Sequence, residues 1–386
     1  MSKLQDLFPI SDTAVREHNG IPYMFGNLWT SKQRQGHPLH EISYRACFKS
    51  ELPEFILKYL GYPGRSWDSN YVVYDPFMGR GTTVIEAAIH GFPVIGNDIN
   101  PVSKRITYPR LQHITYEEIE SRVDSIDWDE AVDITNPELT IFFHEKTLRQ
   151  IEIVRKLPLG DLVASWIFMV AMSRLSGHST GFFSVRTMPP NQTISLLAQH
   201  RLNKSLGLTP SFRDVPFLIK RKAKSLLRAG SIQSNSYVLL TGPATSTPYV
   251  AYRSVNLVIT SPPFLDVVDY AQDNWLRLWF MGIDPKEVSF TILSNLEEWR
   301  NFMLGTFAEL ARVVKPGGYI AFEVGEVRGG KLQLEREIWD VVEGLPFERI
   351  GVLVNVQNFT KTSNCWGVNN MVKGTNTNRI VILRRQ

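Results

Sequence analysis

One short segment combines residues that can bind a flat ring carrying an amino group. Its sequence is Ser261-Pro262-Pro263-Phe264, and it follows the apolar run 256–260, which predicts a buried strand. The two prolines lack backbone N–H donors and fix a rigid bend, so a hydroxyl and a free carbonyl oxygen remain as acceptors beside an aromatic ring. The oxygens can accept N–H bonds from the amino group while the aromatic ring stacks on the ligand. A proline turn that merely ends a strand explains the segment about as well, so the interpretation depends on a second motif.

That second motif lies far upstream and has the composition of a nucleotide-binding turn. The run Tyr71–Asp75 predicts a short strand that enters a turn containing Gly79 and Gly81, and a helix over Thr82–Gly91 follows. The glycines let the backbone approach a ligand closely, and the first N–H groups of the helix face that ligand. The next predicted strand, Pro93–Asp98, ends in a carboxylate about 20 residues after the glycines, the spacing at which an acid reaches ribose hydroxyls in α/β folds. Together these elements favour a ligand that contains a nucleoside.

Both segments resemble motifs of a known family, the S-adenosylmethionine-dependent amino methyltransferases of DNA. DPFMGRGTT resembles their cofactor motif, NDINP the acidic end of their second strand, and TSPPF their catalytic motif. Residues 36–48, KPGGY at 315–319 and residues 374–383 also resemble the family, so the similarity covers about residues 36–110 and 236–386. The resemblance implies an α/β, Rossmann-like class I methyltransferase fold. Its sheet would have seven mostly parallel strands with an antiparallel last strand, and a largely helical insertion would interrupt it.

The resemblance also implies roles for individual residues. The catalytic turn would consist of Ser261, Pro262, Pro263 and Phe264. After its third strand the family usually has an acidic turn, whereas this chain has Pro243, so only the backbone of Ala244 is expected to touch the adenine of the cofactor. The residues expected to contact S-adenosylmethionine are Tyr44, Phe48, Asp75, Phe77, Gly79, Gly81, Thr82, Thr83, Asp98, Ile99 and Ala244.

The Ser-Pro-Pro form of the catalytic motif is more usual for cytosine-N4 than for adenine-N6 enzymes. The resemblance therefore implies methyl transfer to the N4 amine of cytosine in duplex DNA, after the base has rotated out of the helix into the pocket. Positioning would supply most of the rate, because in-line transfer needs the nitrogen, the methyl carbon and the sulfur aligned. An adenine-N6 DNA methyltransferase or an RNA amine methyltransferase would use the same pocket. A non-catalytic nucleic-acid-binding protein would be expected to lose the glycines or the Ser-Pro-Pro turn, and both are intact.

Composition is that of an ordinary soluble enzyme. The 386 residues are 43% hydrophobic, enough for a sizeable core, and no apolar run is long enough to span a membrane. We find no signal-peptide pattern and no Cys/His cluster with zinc spacing, so we expect a cytoplasmic protein without a metal. Neither cysteine, Cys47 or Cys365, follows a proline on a turn after a strand, as the nucleophile of a pyrimidine carbon-5 methyltransferase would. Amino methylation needs no such thiolate.

Charge is distributed unevenly, although the net charge is only +4. Residues 116–138 carry nine acidic residues against one arginine, whereas residues 171–230 carry ten lysines or arginines against one aspartate. Clustered positive charge is what binding a phosphate backbone requires, although a solvated helix face explains the densest run, 220–228, about as well. The candidate DNA-binding residues are Arg174, His178, Arg186, Arg201, Lys220, Arg221, Lys222 and Lys224.

The order of these segments predicts an insertion within one methyltransferase domain. Residues 1–100 would form the N-terminal cofactor-binding half, and residues 236–386 the catalytic half. Residues 101–235 are mostly helical by pattern, include a largely apolar helix over 161–175, and would form the target-recognition region. We expect residues 1–35 to be irregular, with 21–25 as a local apolar anchor. The partners that the resemblance implies are double-stranded DNA and a companion restriction endonuclease.

Overall fold

The chain forms a mixed α/β fold in the computed structural model, which describes residues 3–29, 36–45, 47–61, 70–190, 192–234, 236–263, 265, 269–290, 293, 295–327, 332–356 and 378–386. Two residues named above, Phe264 and Cys365, lie outside these ranges. Within the ranges, no helix has the length and apolarity needed to cross a bilayer, and no group of three or more His, Cys, Asp or Glu is placed to hold a metal ion.

The strands are β1 (Ala14–His18), β2 (Ile21–Gly26), β3 (Val73–Asp75), β4 (Val94–Asp98), β5 (Tyr237–Thr241), β6 (Val255–Thr260), β7 (Val314–Val324), β8 (Glu326–Val327), β9 (Leu332–Gln333), β10 (Phe347–Asn355) and β11 (Asn378–Arg385). The helices are α1 (Lys3–Leu7), α2 (Glu51–Leu60), α3 (Thr82–Ile89), α4 (Pro101–Thr107), α5 (Tyr116–Asp124), α6 (Glu145–Arg155), α7 (Leu162–Met172), α8 (Leu196–Leu206), α9 (Val215–Leu226), α10 (Tyr270–Met281), α11 (Leu296–Val313) and α12 (Leu334–Val341).

Nine strands form one sheet in the order β1-β2-β10-β11-β7-β6-β3-β4-β5. Strands β5, β4, β3, β6 and β7 are parallel neighbours, and β11 lies antiparallel between β7 and β10. This arrangement confirms the predicted class I methyltransferase fold and its antiparallel last strand. The strand order reverses between β3 and β6, and in open α/β sheets such a switch point opens a crevice beyond the carboxyl ends of the strands. A ligand site is therefore expected between the ends of β3 and β6.

Helices cover both faces of the sheet, because its central strands are apolar on both sides. In β6, Leu257 and Ile259 pack in one core with helices α2, α3 and α7, whereas Val258 packs in a second core with α11 and α12. Helix α7 is buried over nearly its whole length, as its lack of charge predicts. The helices of residues 101–235 thus extend the first core instead of standing apart from the sheet.

The prediction of an irregular N-terminal segment is wrong for residues 14–26, and among the described residues the sheet has nine strands where the resemblance implied seven. Strands β1 and β2 form a hairpin, and β2 extends the sheet by pairing parallel with β10. Leu4 of helix α1 packs against Gly351 of β10. A Cβ on Gly351 would lie only 2.4 Å from the Leu4 Cδ1 methyl. Because these partners lie at opposite ends of the chain, and because β2 contains Pro22, the local pattern does not reveal the strand.

Candidate active site

A cleft opens beyond the carboxyl ends of β3, β4, β5 and β6, at the switch point of the sheet. The segment that follows each strand contributes to its wall, so residues far apart in sequence meet there. The glycine turn after β3 and the Ser-Pro-Pro turn after β6 line this one cleft, which is the juxtaposition that the two motifs require. The lining residues are Tyr44, Arg45, Pro76, Phe77, Gly79, Asp98, Ile99, Asn100, Pro243, Ala244, Ser261, Pro262, Pro263, Tyr270, Phe290 and Phe302.

Asp75 ties the two turns together from beneath the cleft. Its Oδ1 accepts hydrogen bonds from the Thr260 hydroxyl at 2.6 Å and from the Phe77 backbone N–H at 3.0 Å. One oxygen thus joins the end of β6 to the turn after β3. The side chain is buried, and this burial raises the pKa of Asp75 to about 7 despite the hydrogen bonds. Asp75 does not line the cleft; its two hydrogen bonds support the turns that do.

We expect Asp75→Asn to flatten the pH dependence of stability. Asp75 keeps its proton up to a pH of about 7 in the folded protein. In the unfolded chain an aspartate has its ordinary pKa of about 4 and loses the proton there. Between these values only the folded state binds the proton, so the wild-type free energy of unfolding should fall as the pH rises, by about 2–4 kcal/mol in total. Asparagine offers Thr260 and Phe77 the same oxygen at every pH. Urea unfolding at about pH 5 and pH 8 measures the difference, and equal pH dependence in both proteins would contradict this assignment.

Asp98 stands at the end of β4 and closes the glycine turn. Its Oδ2 accepts a hydrogen bond from the Gly79 backbone N–H at 2.8 Å, and its Oδ1 accepts one from the Asn100 backbone N–H at 2.8 Å. Gly79 has a φ of +49°, in the left-handed region that favours glycine. Burial raises the pKa of Asp98 to about 6, and the backbone hydrogen bonds oppose the rise. Near neutral pH the cleft therefore contains a carboxylate that is fixed in position and can accept further hydrogen bonds.

Tyr44 forms the wall beside Gly79. A Cβ built on Gly79 would lie 3.5 Å from the Tyr44 ring, so the absent side chain leaves a narrow slot between the turn and the ring. The Tyr44 hydroxyl accepts a hydrogen bond from Asn100 Nδ2 at 2.9 Å, and the Arg277 guanidinium lies 5.8 Å from the ring centroid. Arg277 Nη2 also donates to the Ser43 carbonyl at 3.3 Å. These contacts hold the ring in place against the slot.

Besides Asp75, four of the predicted cofactor residues do not line the cleft, namely Phe48, Gly81, Thr82 and Thr83. The Phe48 carbonyl accepts a hydrogen bond from Arg80 Nη2 at 3.1 Å. Gly81 has a φ of +78°, and a Cβ there would lie 2.6 Å from the Thr107 hydroxyl. Thr83 Oγ1 donates to the carbonyl of Ile259 in β6 at 2.9 Å. The sequence locates the motif, but only the fold shows which of its residues line the cleft and which support the turn.

The Ser-Pro-Pro turn has a buried carboxyl behind it. Thr260 pairs with Phe322 of the neighbouring strand β7, and this register places Ser261 beside Glu323. The Ser261 side chain lies near enough to Glu323 to lower its pKa, and Asn378 Nδ2 at the start of β11 donates to Glu323 Oε1 at 3.0 Å. Burial raises the pKa of Glu323. The sequence does not single out Glu323, because only the strand register shows that it lies next to the turn.

The prolines of the turn are held from the other face of the sheet. Trp299 of α11 donates its Nε1–H to the Pro263 carbonyl at 3.2 Å, and Pro262 is buried. Phe264, the predicted stacking residue, lies outside the described ranges. The turn therefore presents Ser261 to the cleft on a bend that is fixed by both prolines and by Trp299.

The predicted DNA-binding residues occupy several places on the helical segment. A second, cationic cleft is lined by Arg174, Arg221 and Lys222, whereas Lys220 and Lys224 face helix α5. Arg186 and Arg201 are exposed at separate positions. His178 packs on Phe182, with ring centroids 6.3 Å apart. The structure thus divides residues that form one basic stretch in the sequence.

Comparison with known proteins relates the chain to DNA methylases. Residues 9–109 match the family model described as DNA methylase. The Type II methyltransferase M.MvaI of Kocuria varians is 30% identical over 94 residues, which are 24% of this chain and 18% of that protein. The Type II methyltransferase M.BsoBI of Geobacillus stearothermophilus is 22% identical over 316 residues, which are 71% of this chain and 61% of that protein. The chain therefore spans less than two thirds of the length of each relative.

A solved structure gives a more distant match. The alignment with TrmN from Thermus thermophilus covers 89% of this chain and 50% of that chain, at 13% sequence identity and a TM-score of 0.34. The family-model match at residues 9–109 includes the glycine turn and Asp98, so this segment is similar to DNA methylases.

Proposed function

We propose that the protein is a DNA amino methyltransferase that uses S-adenosylmethionine to methylate the N4 amine of cytosine. One observation carries the proposal: the turns that hold Gly79, Asp98 and Ser261 line the same cleft. A methyl donor and an amine must lie side by side for in-line transfer, and most of the rate then comes from their alignment. The name Type II methyltransferase, borne by both relatives, supports the same activity.

The lining of the cleft fits the parts of S-adenosylmethionine. The Asp98 carboxylate would accept hydrogen bonds from the ribose hydroxyls, and the slot between Gly79 and Tyr44 leaves room for a ligand close to the backbone. When bound, the cofactor supplies a methyl group on a positively charged sulfur, an electrophile that a neutral amine can attack. Apolar contacts to it would come from Phe77, Ile99 and Ala244.

The catalytic turn would hold the target amine by its N–H groups. The Ser261 hydroxyl and the Pro262 carbonyl oxygen would accept these hydrogen bonds, which orients the nitrogen lone pair for attack. The two prolines fix the bend, so both acceptors keep their positions. By sequence, Phe264 would stack on the base. Since a duplex hides the amine, the base must first leave the helix.

Glu323 would receive the proton that the methylated amine must lose. Ser261 can accept an N–H bond from the base and donate its own hydrogen to the Glu323 carboxylate. Once the new N–C bond has formed, the nitrogen is strongly acidic. Its proton would pass to Ser261 while the hydroxyl proton passes to Glu323, whose raised pKa makes it a stronger base than an exposed glutamate. Glu323 acts through Ser261, so we regard it as a positioning residue.

The remaining assignments follow from resemblance and charge. Serine before Pro-Pro favours cytosine, although an adenine amine or an RNA amine would use the same turn. We assign residues 101–235 to target recognition in duplex DNA, and residues 1–100 and 236–386 to the cofactor and catalytic halves. A companion restriction endonuclease would fit the Type II names of the relatives.

DNA from cells that express the protein should contain N4-methylcytosine in one sequence context. Sequencing that separates N4-methylcytosine from N6-methyladenine measures this directly, with cells that express Ser261→Ala as the control. N6-methyladenine in the wild-type sample would contradict the assignment of the base. Methylated RNA beside unmodified DNA would contradict the DNA substrate, and no methylated nucleic acid at all would contradict the proposed reaction.

A further inference from the structure

We propose that a cationic cleft between the end of α7 and one face of α9 binds a backbone phosphate of duplex DNA. We call it the arginine cleft; Arg174, Arg221, Lys222 and Arg228 line it, together with Glu41. The proposal rests on the proposed function for the identity of the ligand. The site itself depends only on charge and hydrogen-bond donors, which recognise a phosphodiester whatever reaction follows.

Two guanidinium groups in the arginine cleft are held by packing. Arg174 lies over the Phe182 ring, 4.2 Å from its centroid. Arg221 lies 5.5 Å from the centroid of the Phe217 ring, and its Nη2 would be 3.1 Å from a Cβ on Gly181. Among the described residues, neither arginine forms an ion pair with a carboxylate. Their planar groups therefore keep donors for a ligand, and the guanidinium fork matches the geometry of a phosphate.

The charges of the arginine cleft are unbalanced. Arg228 donates to both carboxylate oxygens of Glu41, at 2.7 and 3.1 Å, and Lys222 lies 3.8 Å from the same carboxylate. Four cations thus share the cleft with one anion. Burial, with the charge of Arg221, lowers the pKa of Arg174 to about 10. An anionic ligand would relieve this excess of positive charge.

The basic run on α9 divides between two faces of the helix. Arg221 and Lys222 line the arginine cleft, whereas Lys220 Nζ lies 2.7 Å from Asp124 of α5. Lys224, one turn after Lys220 on the same face, lies over a tyrosine ring of α5, 5.5 Å from its centroid. We therefore leave Lys220 and Lys224 out of the phosphate site, although the sequence alone groups them with it.

One short segment of the chain contributes residues both to the arginine cleft and to the cleft of the candidate active site. Glu41 lines the arginine cleft, and Tyr44 and Arg45 in the same segment line the active-site cleft. Three residues of chain span at most about 11 Å. A DNA strand whose phosphate lies in the arginine cleft would therefore pass beside the cleft that would receive the extruded base.

The test compares two double variants of the full chain that remove the same charge from the same helix. Arg221→Gln with Lys222→Gln should weaken the binding of a short DNA duplex about tenfold and reduce the slope of log affinity against log salt by about one to two. Lys220→Gln with Lys224→Gln should leave both quantities nearly unchanged. Fluorescence anisotropy over a series of salt concentrations measures both, without any cofactor.

The affinity for S-adenosylmethionine serves as the control for folding, because neither pair of residues lies in the active-site cleft. Equal losses in the two double variants would indicate a diffuse charge effect and overturn the site, and so would unchanged binding in both. Binding of single-stranded RNA through Arg221 and Lys222, with no binding of duplex DNA, would overturn the ligand. If the expected pattern is found but no DNA is methylated, the proposed function fails and the phosphate site stands.

Discussion

Replacing Ser261 by alanine should lower the rate of methyl transfer about 100- to 1,000-fold, while the affinity for S-adenosylmethionine changes less than about twofold. Alanine cannot accept the N–H bond of the amine and cannot pass its proton to Glu323. The smaller side chain obstructs nothing in the cleft, so the cofactor should still bind. Single-turnover transfer of a labelled methyl group to duplex DNA measures the rate, and calorimetry measures the affinity.

A serine at the other end of the same strand provides the matched control. Ser254 precedes β6, and its hydroxyl donates to the Ala251 carbonyl at 2.8 Å, away from the cleft. Ser254→Ala should therefore retain full activity. If Ser261→Ala lost cofactor affinity in proportion to its rate, the hydroxyl would be a binding group for the cofactor, and its catalytic role would be refuted.

Glu323→Gln separates proton transfer from support of the turn. Glutamine has nearly the same shape but cannot take up a proton. In the wild type the rate should fall as the pH drops through the raised pKa of Glu323, because the protonated carboxyl is no longer an acceptor. The variant should be slow at every pH and lack this acid limb. A slow variant that keeps the wild-type pH profile would show that Glu323 only supports Ser261.

The two motifs of the site could be predicted because each is local. A strand, a glycine turn, a helix and a second strand follow one another without interruption from residue 71 to residue 98, and each element has its own pattern. The catalytic turn likewise directly follows its own strand. The local pattern does not show that the two turns lie close together. They do so because β3 pairs with β6 and because Asp75 accepts a hydrogen bond from Thr260 at 2.6 Å. The family resemblance supplied that expectation.

Other features depend on register or on helix faces and had no local signal. Glu323 lies beside Ser261 only because of the pairing between β6 and β7. The hairpin of β1 and β2 becomes part of the sheet only through β10, whose residues come more than 300 positions later. The basic run on α9 is continuous in the sequence, but its side chains lie on two faces of the helix. Lys220 forms an ion pair with Asp124 of α5, whereas Arg221 lines the arginine cleft. Charge density therefore locates a region, and the fold selects the residues within it.

Asp98→Ala should weaken the binding of S-adenosylmethionine about 100-fold or more. The carboxylate fixes the backbone of Gly79 and of Asn100, and it is the group that would accept hydrogen bonds from the ribose. Hydrogen bonds to a charged group contribute about 1.5–3 kcal/mol each, so the loss of two hydrogen bonds from the ribose accounts for a weakening of about 100-fold or more. Calorimetry of the purified proteins measures it. Asp124→Ala, which removes an exposed carboxylate outside the cleft, should bind the cofactor like the wild type.

Asp98→Asn tests whether the charge itself is required. Because burial raises the pKa of Asp98 to about 6 and a ribose binds the ionised form better, the wild-type dissociation constant should rise as the pH falls below about 6. The rise should approach tenfold per pH unit, since one proton must then be released on binding. Asparagine keeps one acceptor oxygen at every pH, so this variant should bind more weakly at neutral pH and show no such dependence. Parallel curves for the two proteins between about pH 5 and pH 8 would mean that another acceptor in the cleft holds the ribose, and Asp98 would then only support the glycine turn.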